Sequence, residues 1–152
     1  MIDYANYLDI KFGSNPTNKT IVLRLNKNWN NLAYALTMNT NVQHIILQGL
    51  EECNIVSYDH WCQKASNLIS VTGELDFSYV PNQVAMSYMF NECTKLEEIR
   101  YKPNTAKFAH SYKHSPKLSA ETIQSIIDGL ATVETAQTLT LNADVKAKLT
   151  QT

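Results

Sequence analysis

Apolar residues in the middle of the chain follow two successive spacings, which predict two kinds of element. The segment 86–96 runs MSYMFNECTKL, and its apolar side chains include Met86, Met89, Phe90 and Cys93. This i, i+3, i+4, i+7 spacing is typical of one face of a helix. From Leu96 to Tyr101 the apolar residues alternate instead, which is typical of a short strand.

The same pattern recurs along the chain. The positions that align with Leu96 are Val42, Leu68 and Leu118, so neighbouring copies are 26, 28 and 22 residues apart. Periods of about 20–29 residues are typical of leucine-rich repeat proteins. One unit of this length cannot bury its apolar face alone, whereas stacked units share a continuous core. The pattern therefore predicts a stack of units whose strands pair in parallel.

We predict an α/β fold, a short leucine-rich repeat solenoid of right-handed helix–strand repeats with a parallel sheet on the concave side. A single domain, 1–152, is divided into an N-terminal cap (1–20), about four repeats (21–118) and an atypical C-terminal repeat or cap (119–152). The predicted strands are Ile21–Leu25, His44–Gln48, Ile69–Gly73, Glu97–Tyr101 and Thr138–Leu141. The predicted helical stretches are Asn28–Met38, Tyr58–Ser66, Asn82–Glu92 and Lys107–Lys113.

The last unit departs from the repeat pattern. Ser119 can cap a helix and Glu121 suits the positive first turn of that helix. Apolar residues at helical spacing then fill the segment 123–130. The segment Thr138–Leu141 alternates like a strand, and Asp144–Leu149 favours a second short helix.

Strand alternation divides the side chains into an inward and an outward set. The predicted core residues are Leu23, Leu25, Ile45, Leu47, Val71, Ile99, Tyr101, Leu139 and Leu141, backed by Leu36, Trp61, Phe90 and Tyr112. The predicted ligand-binding residues on the concave face are Arg24, His44, Ile46, Gln48, Ser70, Thr72, Glu98, Arg100, Thr138 and Thr140. Arginine is enriched in binding hot spots, so Arg24 and Arg100 are the first candidates. The alternative is that both are ordinary solvated charges on an unused face.

Composition narrows the function classes. The 152 residues carry 13 Lys and Arg against 14 Asp and Glu, a net charge of −1. This balance argues against nucleic-acid binding and against docking on anionic membranes. No apolar run approaches the roughly 20 residues of a membrane span, so we expect no membrane insertion, and no signal peptide is evident. No cofactor-binding or catalytic motif occurs, and we predict no cofactor.

The cysteines and histidines offer two weaker possibilities. Three cysteines do not form a typical disulfide framework, and buried thiols are the favoured interpretation. A cysteine hydrolase would need a histidine beside Cys62 or Cys93. His110 and His114 lie four residues apart and could share a metal on one helix face, but we favour solvated histidines and predict no metal site.

The segment 86–96 resembles the core repeat of the BspA-like leucine-rich repeat surface proteins. The preceding LDFS at 75–78 resembles the family's strand and turn, and 118–150 is similar to the terminal segment of such repeat regions in gut bacterial and bacteriophage proteins. The resemblance is specific for about residues 60–150 and weak upstream, where Leu36 and Asn39 stand in place of a Phe–Cys pair. It implies a binding scaffold used on bacterial surfaces or in phage particles, and the family brings no catalytic residues.

The predicted function is therefore non-enzymatic recognition of a protein or glycan on the concave face. The alternative is a structural or assembly subunit of a virion or cell-surface complex, and an enzyme is the third hypothesis. The sequence leaves open the identity of the ligand, the compartment and the oligomeric state.

Overall fold

The computed structural model describes residues 19–149. Most of the predicted N-terminal cap, at 1–18, and the last residues, 150–152, lie outside the described part of the chain. The strands are β1 (Thr20–Arg24), β2 (His44–Gln48), β3 (Ser70–Leu75), β4 (Glu98–Tyr101), β5 (His110–Tyr112) and β6 (Leu139–Leu141). The helices are α1 (Ala120–Gly129) and α2 (Ala143–Leu149), with single 3₁₀ turns at Leu50–Glu52 and Val84–Met86.

Four strands form a parallel sheet in the order β1-β2-β3-β4. The register places Thr20 opposite His44, His44 opposite Ser70, and Ser70 opposite Glu98. Each strand therefore pairs with its successor in the chain, as the alternating segments predict. The α/β class and the parallel sheet are confirmed.

One face of this sheet covers the hydrophobic core. All predicted core residues are buried except Leu139, which is partly buried and packs against the same cluster. The aromatic side chains Trp61, Phe90 and Tyr112 lie at the centre, with the rings of Trp61 and Phe90 5.7 Å apart. The prediction that these aromatic residues belong to the core is confirmed.

The four helices predicted before α1 are wrong. The segments 31–38, 57–64 and 85–92 are chains of tight turns, and Lys107–Lys113 contains β5. In each turn segment two residues four positions apart have positive φ, for example His60 at 53° and Lys64 at 60°. Turns of this length return the chain to the same side every four residues. They therefore leave the same apolar spacing in the sequence as a helix does.

These turn segments stack on one another and form what we call the turn column (31–38, 57–64 and 85–92). Alternate backbone N–H groups donate to carbonyls of the next segment: Tyr34 to Asp59 at 3.0 Å and His60 to Ser87 at 2.9 Å. A helix would direct these donors to its own fourth preceding residue. Stacking the units therefore satisfies backbone groups that an isolated turn would leave open.

Helix α1 closes the β4 edge of the sheet. Its predicted cap is confirmed, because the N–H of Thr122 donates to Ser119 Oγ at 3.1 Å. A Cβ on Gly129 would lie 2.5 Å from the Cβ of Tyr101, so the end of the helix sits directly against β4. The sheet stops here because a helix occupies the place of a fifth strand.

Strand β6 does not extend the four-stranded sheet. It pairs in parallel with β5 in a separate two-stranded sheet, with Tyr112 opposite Leu141. The ring of Tyr112 stacks on Phe90 at 6.2 Å, which places β5 after the third segment of the turn column. The predicted short helix after β6 is confirmed as α2. Within residues 19–149, no helix combines the length and apolar character that crossing a bilayer requires.

Candidate binding face

All the predicted ligand-binding residues except Thr138 and Thr140 lie together on the outward face of the four-stranded sheet. We call this surface the outward face, and it comprises Val22, Arg24, His44, Ile46, Gln48, Ser70, Thr72, Glu98 and Arg100. Thr138 precedes β6 and Thr140 lies within it, in the other sheet. The expectation that both share the ligand-binding surface with the rest is corrected. Their alternating pattern predicts a strand but does not say which strand it joins.

A polar row crosses the amino-terminal end of the outward face. His44, Ser70 and Glu98 occupy one register position on β2, β3 and β4. The imidazole Nδ1 of His44 lies 2.8 Å from Ser70 Oγ. A serine nucleophile needs a histidine whose other nitrogen faces a carboxylate. Here the serine stands between the other two residues, with Glu98 two strands, about 10 Å, from His44. The row therefore lacks the order of a catalytic triad.

The centre of the outward face is apolar. Val22, Ile46 and Thr72 share the next outward register position, and Val22 is 46% exposed. Ile46 is partly exposed between its two neighbours. An apolar centre inside a polar rim is the usual anatomy of a protein-docking surface.

The two predicted arginines lie at the carboxyl ends of their strands. Arg24 Nε donates to Gln48 Oε1 at 3.2 Å across β1 and β2. Arg100 pairs in register with Glu74, and its side chain is exposed. Neither arginine has an ion-pair partner within 4.0 Å among residues 19–149. Both guanidinium groups therefore retain donors for a partner.

A bulge in β3 shapes the surface around Arg100. The register shifts between Ser70 and Glu74, and Gly73 has φ +124° with Leu47 Cβ 2.9 Å from where its own Cβ would stand. Any residue other than glycine at this position would therefore adopt a strained backbone conformation and clash with Leu47. A cleft of about 340 Å³ opens between the bulge, β4 and the start of α1, and a second of about 410 Å³ lies along α1.

Arg100 lines both clefts, and carboxylates surround it. The acidic residues that line one or both clefts are Glu74, Glu98, Glu121 and Asp128. One arginine against four carboxylates gives the residues that line the two clefts a summed charge of −3.

The thiols do not offer a nucleophile. Cys62 and Cys93 are buried, and the Cys93 thiol donates to the Cys62 carbonyl at 3.0 Å. Burial raises the pKa of Cys62 well above its usual value and that of Cys93 to about 12. Reactive cysteines have a lowered pKa and an electropositive, accessible setting. Both thiols therefore pack as small apolar groups.

An aromatic stack on the turn column was absent from the predicted site. The rings of Tyr34 and His60 stack at 4.7 Å and 10°, and Tyr88 follows His60 at 4.8 Å and 37°. Asp59 Oδ1 lies 2.6 Å from Nδ1 of His60. A signal existed in the sequence, because the three rings recur at 26 and 28 residues, the spacings of the repeat.

The predicted histidine pair is split between two elements. His110 lies in β5 and His114 in the following turn, so they do not share a helix, although both line one cleft. Among the residues that the structure describes, no group of three or more His, Cys, Asp or Glu side chains is arranged to hold a metal ion.

Comparison of the chain with protein-family models, curated proteins and solved structures finds no match.

Proposed function

We propose that this chain is a leucine-rich repeat module that binds a protein partner on the outward face of its sheet and catalyses no reaction of its own. The resemblance of segment 86–96 to BspA-like repeats extends the proposal to a bacterial surface or a bacteriophage particle. The repeated unit supports the solenoid architecture: each strand pairs with one 24 to 28 residues further on, from Thr20–His44 to Ser70–Glu98.

The observation that carries this proposal is the exposure of one face of a parallel sheet. Parallel sheets normally have both faces covered by helices. Here one face covers the core, while Val22, Arg24, Thr72 and Arg100 on the other are exposed with respect to residues 19–149. Repeat proteins use such open faces to bind partners.

The anatomy of the outward face favours a protein partner. Ile46 and Val22 offer an apolar contact, while Arg24 and Arg100 offer donors on either side of it. A complementary partner presents an apolar side chain to Ile46 and a carboxylate or carbonyl oxygen to Arg24. Because carboxylates surround Arg100, the partner presents an uncharged carbonyl oxygen there. Since the strands are fixed by ladder hydrogen bonds, docking requires little ordering of the backbone, which reduces the entropy lost on binding.

The test is selection of binders from a random-peptide phage library against the immobilised wild-type chain. Each selected peptide is then titrated against the double variant Arg24→Ala/Arg100→Ala. The matched control is Lys107→Ala/Lys117→Ala, which removes the same charge from exposed positions outside the sheet. We expect binding to the arginine variant to be weaker by about tenfold or more and binding to the control to be unchanged. Equal binding to both variants would place the docking surface elsewhere.

A separate measurement tests the alternative that the chain is a structural or assembly subunit. Because α1 already accepts the hydrogen bonds of the Ile99 and Tyr101 N–H groups, edge-to-edge pairing of two copies at β4 is disfavoured. Light scattering of the purified chain over a wide concentration range is expected to give one molar mass. A mass that rises with concentration would favour the assembly subunit over the recognition module.

A further inference from the structure

The aromatic stack on the turn column ends at Tyr88. The rings of Tyr34, His60 and Tyr88 follow one another at 4.7 Å and 4.8 Å, one ring from each turn segment. His60 covers one face of the Tyr88 ring, and no other ring among residues 19–149 contacts Tyr88. Tyr88 is 58% exposed. The second face of its ring is therefore directed away from His60, towards the next layer of the stack.

The repeat predicts a fourth ring beyond Tyr88, but the structure places that ring elsewhere. Tyr112 stacks on Phe90 at 6.2 Å, so these two residues are equivalent in successive layers. The residue two positions before Phe90 is Tyr88, and the residue two positions before Tyr112 is His110. The ring of His110 instead lies 5.8 Å from Tyr101 and 6.0 Å from Tyr112. The stack therefore lacks its fourth member.

A cleft of about 320 Å³ lies where that ring is missing. It opens between the third turn segment and residues 109–114, and Tyr88 lines it. The backbone ladder stops at the same place, because the N–H groups of Tyr88, Phe90 and Glu92 have no backbone acceptor among residues 19–149. These are the equivalents of the groups that join the first two segments to their successors. The volume is at the lower end of the roughly 300–1,000 Å³ typical of small-molecule sites.

The cleft carries positive charge. Lys113 lines it and is exposed, and its ammonium group has no ion-pair partner within 4.0 Å among residues 19–149. No Asp or Glu is among the described residues that line this cleft. The two clefts beside Arg100 are instead lined by four carboxylates. An anionic ligand is therefore attracted to the cleft at Tyr88 and repelled from the other two.

We propose that this cleft binds an aromatic carboxylate. The aromatic ring packs on the open face of Tyr88 as the fourth member of the stack, and the carboxylate lies beside the ammonium group of Lys113. Stacked aromatic rings attract one another beyond the effect of the area they bury. A saturated ring lacks this attraction, an uncharged aromatic ligand lacks the ion pair, and a cation is repelled by Lys113. The class includes free aromatic acids and the end of a peptide chain whose last residue is aromatic.

This site does not depend on the outward face. The cleft and the outward face share no residue, and Tyr88 lies on the turn column rather than on the sheet. Loss of peptide binding in the arginine variant therefore leaves the aromatic carboxylate proposal standing, and the reverse is also true.

The test is NMR titration of the full chain with N-acetylphenylalanine, N-acetyltyrosine and N-acetyltryptophan at millimolar concentration. We expect at least one of them to shift the backbone N–H resonances of Tyr88 and Lys113 saturably. Two matched probes separate the two parts of the ligand. N-acetylcyclohexylalanine keeps the charge but has a saturated ring, and is expected to bind about threefold more weakly or worse. N-acetylphenylalanine amide keeps the ring but has no charge, and is expected to bind about twofold to fivefold more weakly.

Two variants assign these effects to named residues. Tyr88→Ala is expected to weaken binding of the aromatic acids about tenfold, while Tyr79→Ala, at an exposed tyrosine that does not line the cleft, leaves it unchanged. Lys113→Gln, at an exposed position where folding is not at risk, is expected to make the acid and its amide bind equally. Lys117→Gln, at an exposed lysine outside the cleft, is the matched control and keeps the preference for the acid.

The peptide Gly-Gly-Gly-Phe, compared with N-acetylphenylalanine, identifies the source of the ligand. Tighter binding of the peptide supports the end of a peptide chain, and tighter binding of the single residue supports a free aromatic acid. The proposal is overturned if no aromatic acid gives a saturable shift, or if the cyclohexyl probe or the amide binds wild type as tightly as N-acetylphenylalanine does. It is also overturned if Tyr88→Ala and Lys113→Gln both bind like wild type.

Discussion

The backbone N–H of Ile99, on the outer edge of β4, donates a hydrogen bond to the side-chain oxygen of Thr122 on α1 at 3.2 Å. Two residues along, the N–H of Tyr101 donates to Ser125 Oγ at 3.0 Å. Helix α1 therefore supplies hydroxyl acceptors where a fifth strand would supply carbonyls. Exposed strand edges invite pairing with other chains, and these two bonds close the β4 edge.

Removing the Thr122 hydroxyl should destabilise the chain and open its edge. Thr122→Val keeps the size of the side chain but leaves the N–H of Ile99 buried and unpaired, at a cost of about 1–3 kcal/mol in the free energy of unfolding. Urea denaturation measures this cost. Thr132→Val, at an exposed threonine beyond α1, is the matched control and is expected to change stability by less than about 0.5 kcal/mol. Equal effects of the two substitutions would contradict the assigned role of Thr122.

The positive φ of Lys64 predicts an unusual effect of glycine. A side chain other than glycine in this conformation costs roughly 1 kcal/mol, which glycine avoids. Lys64→Gly should therefore be more stable than Lys64→Ala by about 0.5–1 kcal/mol, in thermal or urea unfolding. At Lys107, which lacks a positive φ, the order of the two variants should reverse. If alanine is the more stable choice at Lys64 as well, the turn geometry described for this segment is wrong.

Lowering the pH should weaken the ion pair between Asp76 and Lys102. Burial of Asp76 opposes its ionisation, but hydrogen bonds from Lys102, at 2.7 Å, and from Ser78 outweigh it and lower the pKa of Asp76 below its usual value. Since the folded-state pKa is the lower one, the stabilisation is fully present above the unfolded pKa of about 3.9 and is lost as the pH falls through the folded pKa.

Comparison of wild type with Asp76→Asn isolates this contribution. Because the Lys102 side chain is half exposed, the difference in unfolding free energy near pH 7 should be no more than about 1 kcal/mol. It should shrink towards zero as the pH is lowered below about 4. A difference that stays constant from neutral to acidic pH would show that Asp76 stabilises the fold in some other way. Lys102→Gln should reproduce the loss at neutral pH.

The strands of the main sheet were predictable because alternation identifies both a strand and its buried face. Ile45 and Leu47 are buried while Ile46 between them is partly exposed, as a period of two requires. The cap at Ser119 was also predictable, because serine is a preferred N-cap residue and here it directly precedes apolar residues at helical spacing.

The turn column was not predictable from the same reasoning. Its apolar residues have helical spacing, and its positive-φ positions hold Tyr34, His60 and Tyr88 rather than glycine. The usual signal of a left-handed turn is therefore missing, and only contacts between successive units fix the conformation.

The sheet that β6 joins was also not predictable from the sequence. Thr140 and Leu141 alternate as in any strand, but pairing is decided by what already covers the sheet edge. Since α1 occupies the β4 edge, the next strand pairs with β5 instead. The sequence-based binding surface therefore contained two threonines that lie in another sheet.

Photo-crosslinking from the centre of the outward face tests the proposed docking role most directly. Benzoylphenylalanine is placed at Ile46 in one protein and at Val133, an exposed loop residue, in another, and each is irradiated with the peptides selected on the wild-type chain. We predict a discrete adduct from Ile46 that disappears when Arg24→Ala/Arg100→Ala is added, and none from Val133. Adducts of equal yield from both positions would contradict docking on the outward face. So would an adduct from Ile46 whose yield is unchanged by Arg24→Ala/Arg100→Ala.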